Sequence, residues 1–102
     1  MKKKSSKLAK LERERFSVFY SLDTCMYCGS QYQMTKHEIF EGRNRKNSME
    51  DGFVLPLCFN CHRQLQENTS FNERWKRKAQ IYYEENIGTR EDFIKRYRRN
   101  YL

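Results

Sequence analysis

The stretch from Cys25 to His62 constrains this chain more than any other, because all four cysteines and both histidines lie inside it. It begins Cys25-Met-Tyr-Cys28-Gly and closes Leu55-Pro-Leu-Cys58-Phe-Asn-Cys61-His62. Each Cys-x-x-Cys pair fits a tight turn that aims two thiolates at one centre, and two such pairs make a closed, tetrahedral four-cysteine zinc site. Disulfides, a redox pair and four buried thiols are the competing readings. Redox use needs only one pair, and disulfides need an oxidising compartment, which no apolar signal segment ahead of Cys25 suggests. The expectation is structural zinc on Cys25, Cys28, Cys58 and Cys61.

A chain of 102 residues makes one domain with a modest core, which gains from a metal cross-link. The domain is expected over 8–102, behind a basic flexible arm over 1–7 that carries Lys2, Lys3, Lys4 and Lys7. The formal charge of +8 becomes +6 when four thiolates remove four charges and a divalent ion restores two. That sign, with interleaved aromatics, points to nucleic acid or a nucleoprotein; the plain alternative is a solvated basic surface. No apolar run approaches the roughly 20 residues of a spanning helix, so a membrane is not an expected partner.

Periodicity predicts one amphipathic helix from Leu8 to about Leu22, ended by Asp23 and Thr24. A strand from about Gln33 to Phe40 puts His37 on one face, with Lys36 and Glu38 on the other. The polar run from Glu41 to Gly52 reads as a loop whose Arg43, Arg45 and Lys46 can touch phosphate. Phe53 to Leu57 is a second strand, with Pro56 at its end or on an edge. A helix from near Asn60 then carries His62, Leu65 and Gln66 on one face. Ser70-Phe-Asn-Glu73 fits a capping box for a helix reaching about Asn86, with Phe71, Trp75, Ala79, Tyr82 and Tyr83 as its apolar stripe. Gly88 stops it, and Thr89-Arg-Glu-Asp92 opens a last helix with Phe93, Ile94 and Tyr97 on its buried face.

The order Cys-x-x-Cys, then His37-Glu-Ile-Phe-x-Gly-x-Asn44-Arg45, then Val-Leu-Pro-Leu-Cys-x-x-Cys-His62 resembles the four-cysteine zinc branch of the HNH nucleases. With Asn44-Arg-Lys-Asn-Ser48 and the Arg99-Asn-Tyr-Leu102 terminus, it is similar to small phage and prophage proteins related to the RecA-dependent recombination-enhancement nuclease. The resemblance runs from about Phe16 onward. It implies an α+β fold: a small zinc-stapled ββα-metal core with flanking N-terminal and C-terminal helices. It also implies a second divalent cation, often magnesium, apart from the zinc. His37 matches the general base of such sites and His62 a metal ligand.

Other positions depart from that pattern. Lys36 stands where an acidic or imidazole ligand is common, and a protonated ammonium cannot coordinate a cation. Gln66 replaces a second metal-binding His one turn after His62, which leaves His62 and Gln66 as the candidate second-metal ligands. Phe53 takes the register of the usual middle Asn, leaving Asn44 or Asn47 as substitutes, and Glu38 reaches a metal only if the strand twists it inward. As alternatives, His37 is a structural imidazole and His62 a helix-capping or zinc-supporting group.

Two functions follow from this. The first is a catalytically impaired HNH-like zinc protein of phage or prophage origin, working in the bacterial host cytoplasm. It would bind nucleic acid or a host nucleoprotein complex, for example as an inhibitor of a host defence nuclease such as an anti-CRISPR. At +6 it would mimic DNA poorly, so it would occupy an acidic surface or compete for nucleic acid. The second is an active, metal-dependent HNH DNA endonuclease with His37 as base. In either, Arg43, Arg45, Lys46, Lys95, Arg96, Arg98 and Arg99 are the candidate contacts to phosphate or partner. The altered positions favour binding over cleavage.

Overall fold

The structure is a computed structural model that describes residues 6–102. Residues 1–5, most of the expected basic arm, lie outside the described residues. Ser6 and Lys7 belong to the first helix.

β1 (Met34–Glu38) and β2 (Val54–Cys58) form an antiparallel pair in which His37 faces Leu55 and Lys36 faces Pro56. Every residue of β2 is buried. Pro56 is tolerated there because it faces the outer edge, where its carbonyl accepts the Met26 N–H at 2.9 Å. That bond fastens the Cys25–Gly29 turn to the sheet. Around the pair stand α1 (Ser6–Arg13), α2 (Arg45–Asp51), α3 (Phe59–Leu65), α4 (Thr69–Asn86) and α5 (Arg90–Tyr97). Among the described residues the fold is therefore α+β, five α-helices about one two-stranded sheet, with the four cysteines gathered at one end.

The core is largely aromatic. Phe40, Phe53, Phe93 and Tyr97 are almost wholly buried, with the Phe93 and Tyr97 rings stacked at 4.7 Å and Phe40 and Tyr97 tilted at 4.3 Å. Such contacts add roughly 0.5–1.5 kcal/mol per pair to the area they bury. The α4 stripe is as expected: Phe71, Trp75, Ala79 and Tyr83 are buried and Tyr82 packs at the margin.

Four expectations need correction. The first helix stops at Arg13 and does not reach Leu22. Ser17 Oγ accepts the amides of Phe19 and Tyr20, and the Val18 N–H donates to Gly52 O, so this backbone finds better partners outside a helix. Phe19 is thereby turned onto Phe53 and Trp75. The expected loop over 41–52 is a 3-10 turn (Gly42–Asn44) followed by α2. Polarity hid this helix, because it buries only Met49 and Ser48, and the Ser48 hydroxyl is satisfied by Phe53 O at 2.6 Å.

α4 is capped by Asn68, whose side chain accepts the Phe71 N–H, and not by Ser70. On α5 the exposed Ile94 leaves Phe93 and Tyr97 as the buried pair. The Thr89–Asp92 capping box forms as expected. Gly52, at φ +75, closes α2 where an added Cβ would run into the Phe16 ring, so both conformation and space demand glycine.

Candidate metal centres

Two clusters lie on either side of the β1–β2–α3 junction. The first is the cysteine cluster, where the backbone does the positioning. Gly29 at φ +80 lets its N–H return to Cys25 O and close the first turn. The Phe59 N–H donates to Gln33 O just ahead of β1, and the Met26 N–H on Pro56 O ties the first turn to the strand that ends in Cys58. All four sulfurs lie within 4.8 Å of one another and none forms a disulfide. A tetrahedron of thiolates about 2.3 Å from a central ion has edges of roughly 3.8 Å, and Cys28 Sγ stands 3.7 Å from Cys58 Sγ. Burial pushes the Cys25 thiol up, but the backbone N–H groups of Cys28, Cys58 and Tyr27 outweigh it and hold the group down at about 6. The residues present fit a tetrahedral metal ion.

The second cluster is a polar cavity of about 430 Å³ lined by His37, Glu38, Glu41, His62, Gln66 and Glu67. Its hydrogen bonds determine which ring nitrogens carry protons. Thr35 Oγ1 donates to Leu57 O at 2.7 Å, so it must accept from His62 Nδ1, also at 2.7 Å. Asn72 Nδ2 donates to the carbonyls of Leu65, Gln66 and Asn68, which turns Asn72 Oδ1 toward His37 Nε2 at 3.3 Å. A carbonyl oxygen can only accept, so Nε2 is the protonated nitrogen of His37.

Burial, and for His37 also the neighbouring His62, lowers both imidazoles below their ordinary pKa, so each is neutral at pH 7. His37 Nδ1 and His62 Nε2 are therefore both lone pairs, and they face each other at 3.2 Å. Two lone pairs at that distance repel unless a proton, a water or a cation lies in reach of both. A divalent cation on His62 Nε2 with a water beside it in reach of His37 Nδ1 would relieve that repulsion, so the pair is compatible with one cation and one water.

The remaining expected residues sit as follows. Gln66 caps α3 and Glu67 follows it, so both reach the cavity from the same end. Glu38 does turn toward the cavity, but its carboxylate is held by Arg45 at 3.2 Å and Arg15 at 3.4 Å, and both arginines also contact Glu12. Lys36 lies opposite Pro56 and does not line the cavity, while Phe53 belongs to the core. Asn44 and Asn47 donate to Tyr97 O and Arg96 O, where they tie α2 to the end of α5 away from the imidazoles.

The basic residues do not form one surface. Arg45 is in the ion cluster just described, and Arg96 holds Asp51 at 2.8 Å. Arg43 and Lys46 are exposed, and the nearby Lys7 ammonium lowers the pKa of Lys46. Lys95 and Arg98 border a shallow hollow with Asn47 and Tyr83, and Arg99 lies over the Tyr101 ring at 4.7 Å.

Among the described residues, the four cysteines are the cluster in which three or more His, Cys, Asp or Glu ligands converge within a few ångströms. The second cluster is thus two imidazoles with oxygen-bearing side chains farther out on the cavity wall. Its supporting residues, Thr35, Asn72, Glu41 and Glu67, were not singled out from the sequence. Thr35 was recoverable, because it shares a strand face with His37 two residues on. No local pattern marks Asn72, which meets His37 only through the packing of α4.

No helix among the described residues is long and apolar enough to cross a membrane. Among known families, the model described as "Protein of unknown function (DUF968)" matches residues 2–94. No curated protein and no solved structure matches the chain.

Proposed function

The chain belongs to the DUF968 family of proteins of unknown function, and we propose that it is a zinc-stapled, HNH-like DNA endonuclease dependent on a second divalent cation. The observation that carries this reading is that His37 Nδ1 and His62 Nε2 face one another at 3.2 Å in a polar cavity while Asn72 and Thr35 engage their other ring nitrogens. It reverses the order of preference drawn from sequence. A decayed site has no need of an Asn that fixes the His37 tautomer or of a Thr that fixes that of His62.

In this reading Asn72 takes the orienting role vacated by Phe53. With Nε2–H held by Asn72 Oδ1, His37 presents Nδ1 to a water and takes its proton as the oxygen attacks phosphorus. The Asn72 carbonyl then favours the imidazolium that forms. Thr35 keeps the His62 Nε2 lone pair directed into the cavity. A divalent cation there, held by His62 with oxygens of Gln66, Glu41 or Glu67, would supply charge neutralisation at the phosphate and the leaving oxygen. Zinc is the metal proposed for the four cysteines, as the four-thiolate set favours it. We place the protein in phage or prophage genomes, acting in the host cytoplasm.

Lys36 and the neutral Gln66 favour a second reading. In it the scaffold binds nucleic acid or a host nucleoprotein, for instance as an inhibitor of a defence nuclease, without cutting. Supercoiled and single-stranded DNA incubated with the zinc-loaded protein and added magnesium, manganese or nickel separates the two. Cleavage that requires the added ion and falls roughly 100- to 10,000-fold in His37→Ala is expected. Cleavage no greater than that of His37→Ala under every ion would leave the binding reading.

A further inference from the structure

We propose that the exposed face of α3 is a stacking platform for an unpaired nucleobase, so that the strand entering the His37–His62 cavity is single-stranded or locally unwound. The inference rests on the nucleic-acid reading above and narrows its substrate class. Phe59, His62, Arg63 and Gln66 recur at helical spacing on one face of α3. His62 and Gln66 line the catalytic cavity and also a hollow of about 270 Å³ that they share with Phe59 and Arg63. Phe59 in turn lines a third hollow, of about 300 Å³, with Gln33 and Met34. Shared lining residues therefore place the Phe59 ring one hollow away from the imidazole pair on this face.

That ring is unusual for its position. Phe59 is 52 % exposed, although its backbone is tied to the residue ahead of β1 and lies between two cysteines of the cluster. It follows the metal-ligand residue Cys58, precedes Cys61 by two residues, and donates its N–H to Gln33 O at 2.8 Å. Gln33 itself is held at φ +51, a left-handed conformation uncommon for a side-chain-bearing residue, and such conformations concentrate at functional surfaces. The Arg63 guanidinium lies 5.9 Å from the Phe59 ring centroid, so a planar cation already borders the ring.

A rigid ring flanked by a guanidinium, at the mouth of a site for phosphodiester chemistry, suits a base stacked on Phe59 with its phosphate on Arg63. In duplex DNA the base faces are covered by their neighbours, which is why an unpaired strand fits and a duplex does not. Phe59 and Met34 alone offer too little apolar surface to anchor a protein partner.

The test is equilibrium binding by the zinc-loaded full chain, with no other cation added. The probe is an oligonucleotide of about 12 nucleotides carrying one 2-aminopurine, used single-stranded and as a duplex. Quenching of the single strand is expected, with weaker binding and little quenching for the duplex. Phe59→Ala should weaken single-strand binding roughly 5- to 150-fold and abolish the quench. It should leave the melting temperature and duplex affinity near those of the parent, and Phe59→Trp should restore binding.

Single-strand affinity and quench unchanged in Phe59→Ala would overturn the proposal, as would a duplex bound equally well with equal dependence on Phe59. The outcomes separate the two claims. A protein that never cuts DNA but shows the Phe59-dependent quench sinks the nuclease and keeps the platform. One that cuts with no dependence on Phe59 does the reverse.

Discussion

At the scale of single residues, the proposed cation site at the imidazole pair depends on two polar side chains that do not line its cavity. Thr35 cannot donate to His62 because its one proton is engaged by Leu57 O, so it accepts, and Asn72 turns its oxygen to His37 because its amide nitrogen donates to the carbonyls of Leu65, Gln66 and Asn68. Thr35→Val keeps the shape of the side chain and removes the acceptor, which frees the His62 ring to rotate or change tautomer. It should weaken binding of the second cation, measured by manganese titration of the zinc-loaded protein, by about 10- to 100-fold, as loss of a supporting partner commonly does. Unchanged affinity would mean that His62 is not directed by Thr35. The four thiolates were legible in the sequence from their spacing, whereas the two imidazoles were singled out only through the resemblance. Their partners were not. Asn72 bonds a residue 35 positions earlier, and the sequence offered the nearer Asn44 and Asn47, which serve instead to anchor α5.

At the scale of elements, what periodicity could and could not reveal follows from how much apolar surface each segment buries. α4 was recognisable because its buried positions are large and recur at helical spacing, and β2 because it is a short run buried throughout. α2 was not, since it is held by a buried serine and one methionine, and the segment after Arg13 was misread because its aromatics are drawn to Phe53 and Trp75 out of helical register. The Thr89 cap was legible and carries its own pH signature. Backbone and side-chain hydrogen bonds from Thr89 hold the Asp92 carboxyl below its ordinary pKa. A carboxyl lowered in the folded state stabilises it above the unfolded pKa, and that contribution is lost as pH falls through the folded value. Thermal melts from neutral pH downward should show a decline below about pH 4 that is shallower in Asp92→Asn. Parallel curves for the two proteins would show that the cap carries none of the acid sensitivity.

At the scale of the whole molecule, the cysteine cluster brings together the first turn, the end of β2 and α3. Cys25 and Cys28 sit on a turn outside the sheet, tied to β2 through Met26, while Cys58 ends β2 and Cys61 lies in α3. The binding free energy of a structural zinc, about 10–16 kcal/mol, matches or exceeds the 5–15 kcal/mol net stability typical of a domain. Chelation should therefore abolish the cooperative thermal transition, with loss of near-ultraviolet dichroism, and zinc should restore both. A metal-free chain that still melts cooperatively would show that the aromatic core suffices. Because His62 directly follows Cys61, loss of the first metal should also dismantle the second centre, so the cleavage assay is meaningful only on zinc-loaded protein.

The most direct test of the central claim is the protonation of the two imidazoles, read from long-range nitrogen–proton correlation spectra of the 15N-labelled, zinc-loaded protein near pH 7. With only two histidines in the chain, each ring can be assigned without ambiguity. The geometry predicts His37 as the Nε2–H tautomer and His62 as the Nδ1–H tautomer, with His62 Nε2 shifting when magnesium is added. A His37 protonated at Nδ1 and donating to His62 Nε2, with no response to the added ion, would describe an ordinary structural hydrogen bond. It would contradict the cation site on which the proposed activity rests.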